Sequence, residues 1–104
     1  MSVAVADNPD LSRYEVRVDG ELAGFAQYRL RDGRITIFHA EVDPAHEGHG
    51  VGSQLAGSAL ADVRARQLEL VPRCPFIAGY VRHHADRYLD LVPEPLRERL
   101  MAGG

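Results

Sequence analysis

The stretch HEGHGVGSQL, residues 46–55, places three glycines and two histidines directly before an apolar run with helical spacing. Glycines at a helix start let the backbone approach an anion closely, and the free N–H groups of the first turn favour phosphate. The stretch does not match the dinucleotide pattern G-x-G-x-x-G, because Ser53 takes the last position, nor the Walker pattern, because the chain has no lysine. An anion cradle and a loop that only turns the chain both remain open.

Histidines at positions 39, 46 and 49 raise the question of a metal site. Glycine-rich loops hold ligands poorly, and neither a cysteine nor a paired carboxylate completes a ligand set. The sequence therefore predicts no metal.

Three other side chains could do acid–base or nucleophilic chemistry. His39 is the natural base near neutral pH, and Glu41 would be a second base in a buried position. Cys74 follows Arg73 and precedes a helix start at Pro75, and both features favour a reactive thiolate. A hydrogen-bonded strand-end histidine and a small buried cysteine fit the same positions.

Composition limits the possible classes of protein. With 104 residues the chain fits one domain, residues 1–104, and 45% apolar with 26% charged residues is typical of a soluble globular protein. The net charge of −3 and the lack of a basic run argue against nucleic acid, and the lack of a long apolar run argues against a membrane. A single cysteine fits a reducing compartment, so we expect a cytoplasmic protein.

The elements that must position these residues begin with strands. YEVRVD, ELAGFAQYRL and RITIFHAEV have strand patterns and are separated by Asp-Gly pairs that favour hairpins, which predicts a three-stranded antiparallel meander. The third strand carries apolar residues at both parities, which predicts that both faces are covered. Simple alternation places His39 and Glu41 on the same face as Ile35 and Ile37.

Helices alternate with one more strand in the second half. An amphipathic helix starts at Val51, and LELVP, residues 68–72, is predicted to lie parallel to the third strand through a right-handed crossover. A helix opened by Pro75 follows, DRYLDLV is ambiguous between coil and strand, and Pro95 opens a short terminal helix.

Several motifs in this order resemble the GNAT superfamily of acetyl-coenzyme A-dependent N-acetyltransferases. They are HAEVDPAHEGHGVGSQL, LVPRCPFIAGYVRHH and the DLV that follows, and they cover most of the chain from Tyr14 to Val92. The chain is most similar to the small single-domain branch, which lacks the usual first strand and early helices. The resemblance implies an α/β fold with a mixed sheet: meander, helix, parallel splayed strand, helix.

The resemblance also implies roles for particular residues. Backbone amides of the glycine loop would cradle the coenzyme A pyrophosphate, although Glu47 stands where the family has Arg or Gln. Tyr80 would protonate the coenzyme A thiolate, and Cys74 would contact the acyl group or carry it covalently. The positions implied for binding acetyl-coenzyme A are Ala40, Glu41, Val42, Gly48, His49, Gly50, Val51, Gly52, Ser53, Tyr80 and Arg82.

The function implied is an N-acetyltransferase that moves an acetyl group from coenzyme A to a primary amine, small or peptidyl, with catalysis by His39, Glu41, Cys74 and Tyr80. The alternative is a module that binds coenzyme A or acyl-coenzyme A without turnover, as a sensor or interaction protein. We expect a monomer or weak homodimer, with neither nucleic acid nor membrane as a partner.

Overall fold

The computed structural model describes residues 1–46 and 48–103. One sheet holds five strands in chain order: β1 (Val3–Asn8), β2 (Arg13–Val18), β3 (Glu21–Arg31), β4 (Arg34–Val42) and β5 (Glu69–Pro72). The helices are α1 (Val51–Ala65), α2 (Pro75–His83), α3 (Ala85–Tyr88) and α4 (Glu94–Ala102). Strands β1 to β4 are antiparallel, and β5 is parallel to β4. The predicted mixed α/β sheet is confirmed, and in the described part of the chain no helix is long and apolar enough to cross a membrane.

Two tight turns connect β2 to β3 and β3 to β4. Each turn is an Asp-Gly pair in which both residues have positive φ, 50° and 86° in the first turn and 52° and 76° in the second. Two successive positive φ values define the turn that matches the twist of antiparallel strands. The hairpins predicted from these two pairs are confirmed.

The antiparallel meander has four strands and not the predicted three, because β1 precedes the three strands that the sequence predicts. Strand β1 pairs with β2, and Val3 and Val5 pack against the core opposite Val18 and Val16. The exposed positions between the valines hold alanine, so the segment lacks the polar and apolar contrast that marks a strand in a sequence.

A β-bulge in β4 corrects the predicted faces of that strand. Gln27 of β3 pairs with His39 and Tyr28 pairs with Ile37, which makes Phe38 the extra residue. An extra residue exchanges the faces of everything after it. Consequently His39 and Glu41 lie opposite Ile35 and Ile37, not beside them, while Ala40 and Val42 face the core.

Both long helices pack on the same face of the sheet. Helix α1 contacts β1 to β4, and α2 contacts α1, β4 and β5. The predicted stripe of α1 is confirmed as core: Val51, Leu55, Ala59, Leu60 and Val63 are all 0–1% exposed. Burying each larger side chain of this kind stabilises the fold by about 1.5–3 kcal/mol.

The opposite side of the sheet, which we call the outer face, carries polar and aromatic side chains. His39 and Glu41 are half or more exposed there, and Phe25 lies across the strand from Glu41. The expectation that the strand RITIFHAEV, now β4, is covered on both faces was therefore wrong, because the polar positions after the bulge all turn outward.

A polar clamp joins the end of α1 to the sheet. Tyr14 donates a hydrogen bond of 2.7 Å to Asp62, Tyr28 donates one of 2.7 Å to Asp7, and Arg66 pairs with both carboxylates at 3.3 Å. Burial and the bond to Asp62 raise the pKa of Tyr14, and burial and the bond to Asp7 raise that of Tyr28 to about 12. The clamp thus holds both phenols protonated against carboxylates.

The segment after α2 is helical. The residues DRYLDLV, ambiguous in the sequence, form α3 and a 3-10 turn at Leu89–Leu91. Helix α4 has Pro95 in its first turn, as predicted.

Candidate functional site

The sheet opens into a fork where β4 and β5 separate. Pairing between the two strands runs from Arg34 with Glu69 to Ile37 with Pro72. The N–H groups of Arg73 and Cys74 then both donate to the Ile37 carbonyl, at 2.9 and 3.0 Å, and the chain turns into α2. Within the described residues, the edge of β4 from Phe38 to Val42 is left unpaired on the β5 side.

The glycine loop reaches α1 beside this fork. Gly48 and Gly50 have φ values of +85° and +73°, a conformation that glycine adopts without strain. Gly50 is the N-cap, and its carbonyl accepts the first helical bond, from Gln54 at 3.0 Å. Among the described residues no side chain caps this end, so the amides of the first turn are available to an anion.

Fork and loop together enclose a cleft of about 410 Å³. Its walls are the end of β4, the glycine loop, the first turn of α1 and one aromatic ring of α2: Ala40, Glu41, Val42, Gly48, Gly50, Val51, Gly52, Ser53 and Phe76. The cleft joins a row of unpaired strand amides to a helix N-terminus, which suits an extended ligand with an anionic end.

Phe76 is a cleft residue that the sequence analysis did not single out. Its ring is 40% exposed and lies 3.1 Å from the position that a Cβ on Gly52 would take. An aromatic residue next to a helix start looks like core in a sequence. The signal that could have identified it is Gly52, since a glycine in the first turn of a helix permits the close approach of a large neighbour.

The floor of the cleft depends on a close strand contact. A Cβ on Gly24 of β3 would lie 2.5 Å from the carbonyl oxygen of Glu41 and 3.2 Å from the Cα of Val42. Only glycine allows β3 to lie so near β4 at this point, so Gly24 supports the backbone that lines the cleft.

The outer face beside the cleft presents a hydrogen-bonded pair. Nε2 of His39 lies 2.8 Å from Oε2 of Glu41, and the His39 ring is 6.0 Å from that of Phe25. The guanidinium of Arg13 lies over the Phe25 ring, 4.8 Å from its centre. The hydrogen bond holds the two side chains together beside the cleft.

Cys74 lies at the base of the fork. It is the N-cap of α2, and its side chain is 3% exposed, shielded from solvent. It is close in sequence to the cleft residue Phe76 but does not itself line the cleft.

Tyr80 lies one helical turn after Phe76 in α2, between α1 and α2. Its ring stacks on His84 with 4.3 Å between centres and lies 5.7 Å from Tyr88. Burial raises the pKa of Tyr80, and the neighbouring Tyr88 adds to the rise. The phenol is therefore held as a proton donor.

The remaining predicted residues lie apart from this cluster. Arg82 donates to the Leu100 carbonyl of α4 at 3.3 Å, and His49 is exposed at the loop surface outside the cleft lining. Glu47 lies outside the described residues. Among those that are described, no group of three or more His, Cys, Asp or Glu side chains could hold a metal ion.

Most of the chain is similar to a known protein family. Residues 13–91 match the model of a family described as GCN5-related N-acetyl-transferase. No curated protein matches the chain.

Among the solved structures that resemble this chain are three proteins, two of which are described as acetyltransferases. Ard1 from Thermoplasma volcanium is 25% identical over 60% of this chain and 42% of its own, with a TM-score of 0.51. Ribosomal-protein-alanine N-acetyltransferase from Brucella melitensis biovar Abortus 2308 is 22% identical over 78% of this chain and 61% of its own, with a TM-score of 0.53. Nourseothricin acetyltransferase is 24% identical over 83% of this chain and 66% of its own, with a TM-score of 0.50. The chain thus spans between two fifths and two thirds of the length of these proteins.

Proposed function

The chain belongs to the GCN5-related N-acetyltransferase family, and on that premise we propose that it transfers an acetyl group from acetyl-coenzyme A to a primary amine. The observation that carries the proposal is the cleft, in which the free edge of β4 leads to the glycine-lined start of α1. The amides of Gly50 to Ser53 would bind the pyrophosphate, with the helix dipole adding to the attraction. The edge of β4 would hold the pantetheine arm by backbone hydrogen bonds.

The transfer needs a base, an acid and support for a negative oxygen. The amine nitrogen bonds to the acetyl carbon, its proton passes to His39, and the carbon–sulfur bond breaks. Glu41, 2.8 Å from His39, stabilises the imidazolium that forms. Free β4 amides at the fork stabilise the oxyanion, and Tyr80 donates a proton to the departing thiolate.

Cys74 offers a second route through a covalent intermediate. Its thiolate would attack the thioester carbon, coenzyme A would leave as the thiol, and the amine would then attack the acetyl-cysteine. Because the Cys74 side chain is 3% exposed, we expect direct transfer instead. An acetyl group in the intact mass of the wild type that is absent in Cys74→Ser would establish the covalent route.

A substitution that adds one negative charge to the cleft tests the proposed site for acetyl-coenzyme A, which we call the donor site. Ser53 lines the cleft in the first turn of α1, and Ser58 is exposed on the same helix outside it. A glutamate near the start of a helix favours folding, so Ser53→Glu should fold as well as the wild type. It should nevertheless weaken acetyl-coenzyme A at least ~10-fold in isothermal titration calorimetry, by repelling the pyrophosphate.

The matched control is Ser58→Glu, which adds the same charge outside the cleft. It should change the affinity less than about 2-fold, since salt screens the repulsion between an exposed charge outside the cleft and the pyrophosphate. Equal affinity in both variants would refute the proposed donor site. Turnover is then measured as release of the coenzyme A thiol across a panel of small amines, polyamines and peptides.

A module that binds acetyl-coenzyme A without turnover is the second candidate. The observation that favours it is that His39, Cys74 and Tyr80 all lie outside the lining of the cleft. Binding that Ser53→Glu weakens, without thiol release for any amine of the panel, would select this function over the enzyme.

A further inference from the structure

Helix α1 has a glycine in its interior where the hydroxyl of Tyr80 meets it. A Cβ built on Gly57 would lie 2.9 Å from the Tyr80 hydroxyl oxygen and 3.8 Å from the ring carbon that carries it. Real Cβ atoms do not approach other heavy atoms so closely. The hydroxyl therefore occupies space that any side chain at position 57 would take.

Glycine is a poor choice for this position as far as the helix is concerned. Gly57 lies in the middle of a helix that runs from Val51 to Ala65, with alanine and serine on either side. Glycine is among the weakest helix formers, and alanine is the strongest. The local stability of the helix alone would favour alanine. What glycine allows at this position is the contact with the Tyr80 hydroxyl.

The ring of Tyr80 is fixed on its other sides. His84 stacks on it at an interplanar angle of 29°, and the His84 ring is itself held by a hydrogen bond of 3.0 Å between Nδ1 and the Tyr80 carbonyl. The Tyr88 ring lies 5.7 Å away. Gly57 supplies a further wall, so a methyl group there would displace the hydroxyl.

The contact belongs to a series that leads from the cleft. Gly52 of α1 faces Phe76 of α2, which lines the cleft, and Gly57 faces Tyr80 one helical turn later. The two helices thus approach each other through two glycines, and each glycine accommodates one aromatic side chain.

From this geometry we infer that Gly57 is a notch in α1 that holds the Tyr80 hydroxyl in place. The inference rests on the proposed function in one respect: it makes Gly57 a positioning residue for the phenol that protonates the departing thiolate. The placement of the hydroxyl itself is a property of the fold and is measured without any substrate.

The test compares Gly57→Ala with Gly79→Ala. Gly79 is also a helical glycine, but a Cβ there has its nearest neighbour at 3.7 Å, an ordinary contact with Arg82. With ring-labelled tyrosine, the NMR signal of Tyr80 is identified by its loss in Tyr80→Phe. We expect this signal to shift in Gly57→Ala and to stay in place in Gly79→Ala, while both variants remain folded.

The kinetic part separates positioning from binding. A general acid contributes about 10²–10⁴-fold to a rate, and Gly57→Ala should lower kcat at least ~10-fold with the KM for acetyl-coenzyme A changed less than about 2-fold. The double variant with Tyr80→Phe should be no slower than Tyr80→Phe alone, because residues that act through one another are not additive.

Two results would overturn the inference. One is a Tyr80 signal that stays in place in Gly57→Ala. The other is a displaced signal with wild-type kcat in an enzyme that Tyr80→Phe slows. A wild type without turnover would instead refute the proposed function, and the NMR comparison would still decide whether Gly57 holds the hydroxyl.

Discussion

Glu15 is a charged side chain buried on the outer face of the sheet. It accepts hydrogen bonds from Arg13 at 2.8 Å, Asn8 at 3.2 Å and Arg17 at 3.4 Å. Burial alone would raise the pKa of Glu15, but the bonds from Arg13 and Asn8 and the charges of the two arginines hold it below its usual range. The native state therefore favours the ionised carboxylate more than the unfolded chain does.

The substitution Glu15→Gln should reduce the free energy of unfolding near neutral pH by about 1.5–3 kcal/mol, the contribution of hydrogen bonds to a charged group. Because the native pKa of Glu15 is lowered, its stabilisation is present above the unfolded value of about 4.3 and is lost as the pH falls through the native value. Urea unfolding should show the gap between wild type and variant closing as the pH falls below about 4.

The control for this substitution is Glu69→Gln, which removes an exposed partner of Arg34 at 3.2 Å. Such a surface pair contributes less than about 1 kcal/mol. The role of Glu15 would be contradicted if Glu15→Gln lowered the free energy of unfolding no more than Glu69→Gln does. It would also be contradicted if the difference between wild type and Glu15→Gln widened in acid.

On the scale of single elements, the bulge at Phe38 determines what β4 can do. Without Phe38 the strand would alternate regularly and would still place His39 and Glu41 outward. Without Ala40 the bulge would remain, and Glu41 would turn inward to meet buried Ala26.

Deletion of Phe38 should therefore reduce the free energy of unfolding less than deletion of Ala40 does, although both chains lose one residue from the same strand. An uncompensated buried carboxylate costs several kcal/mol, comparable to the whole stability of a small domain. Circular dichroism and urea unfolding make the comparison. Two deletions of equal effect would contradict the register described for β4.

The bulge also explains where prediction from the sequence stopped. The stripe from Val51 to Val63 and the two Asp-Gly turns are local patterns, and the sequence predicted each of them correctly. Phe38 could continue the regular alternation of the strand or could be the extra residue of a bulge. Which of the two holds depends on the pairing with β3, which no local pattern encodes. The cleft likewise depends on contacts between elements, since Phe76 of α2 lines it next to Gly52 of α1.

At the scale of the whole molecule, the two ends of α1 have different tasks. Its first turn lines the cleft, whereas its last turn enters the polar clamp, in which Asp62 and Arg66 meet Tyr14 and Asp7. The cleft end of the helix thus carries the free amides, and the opposite end adds polar contacts with the sheet to the buried stripe.

Substitution Tyr14→Phe should lower the free energy of unfolding by about 1.5–3 kcal/mol, since it removes a hydrogen bond from a buried hydroxyl to a carboxylate. It should leave the affinity for acetyl-coenzyme A unchanged, because the clamp and the cleft lie at opposite ends of α1. Urea unfolding and calorimetric titration of the same preparation measure both quantities. A loss of affinity equal to the loss of stability would show that the two ends are coupled.

The outer face has a consequence for how this protein can change. Its exposed residues after the bulge, His39 and Glu41, contribute nothing to the packed core, although Glu41 also lines the cleft. Exchanging outer-face side chains thus alters what approaches the fork without disturbing what holds the sheet and helices together. A library randomised at those positions would retain its fold in most members.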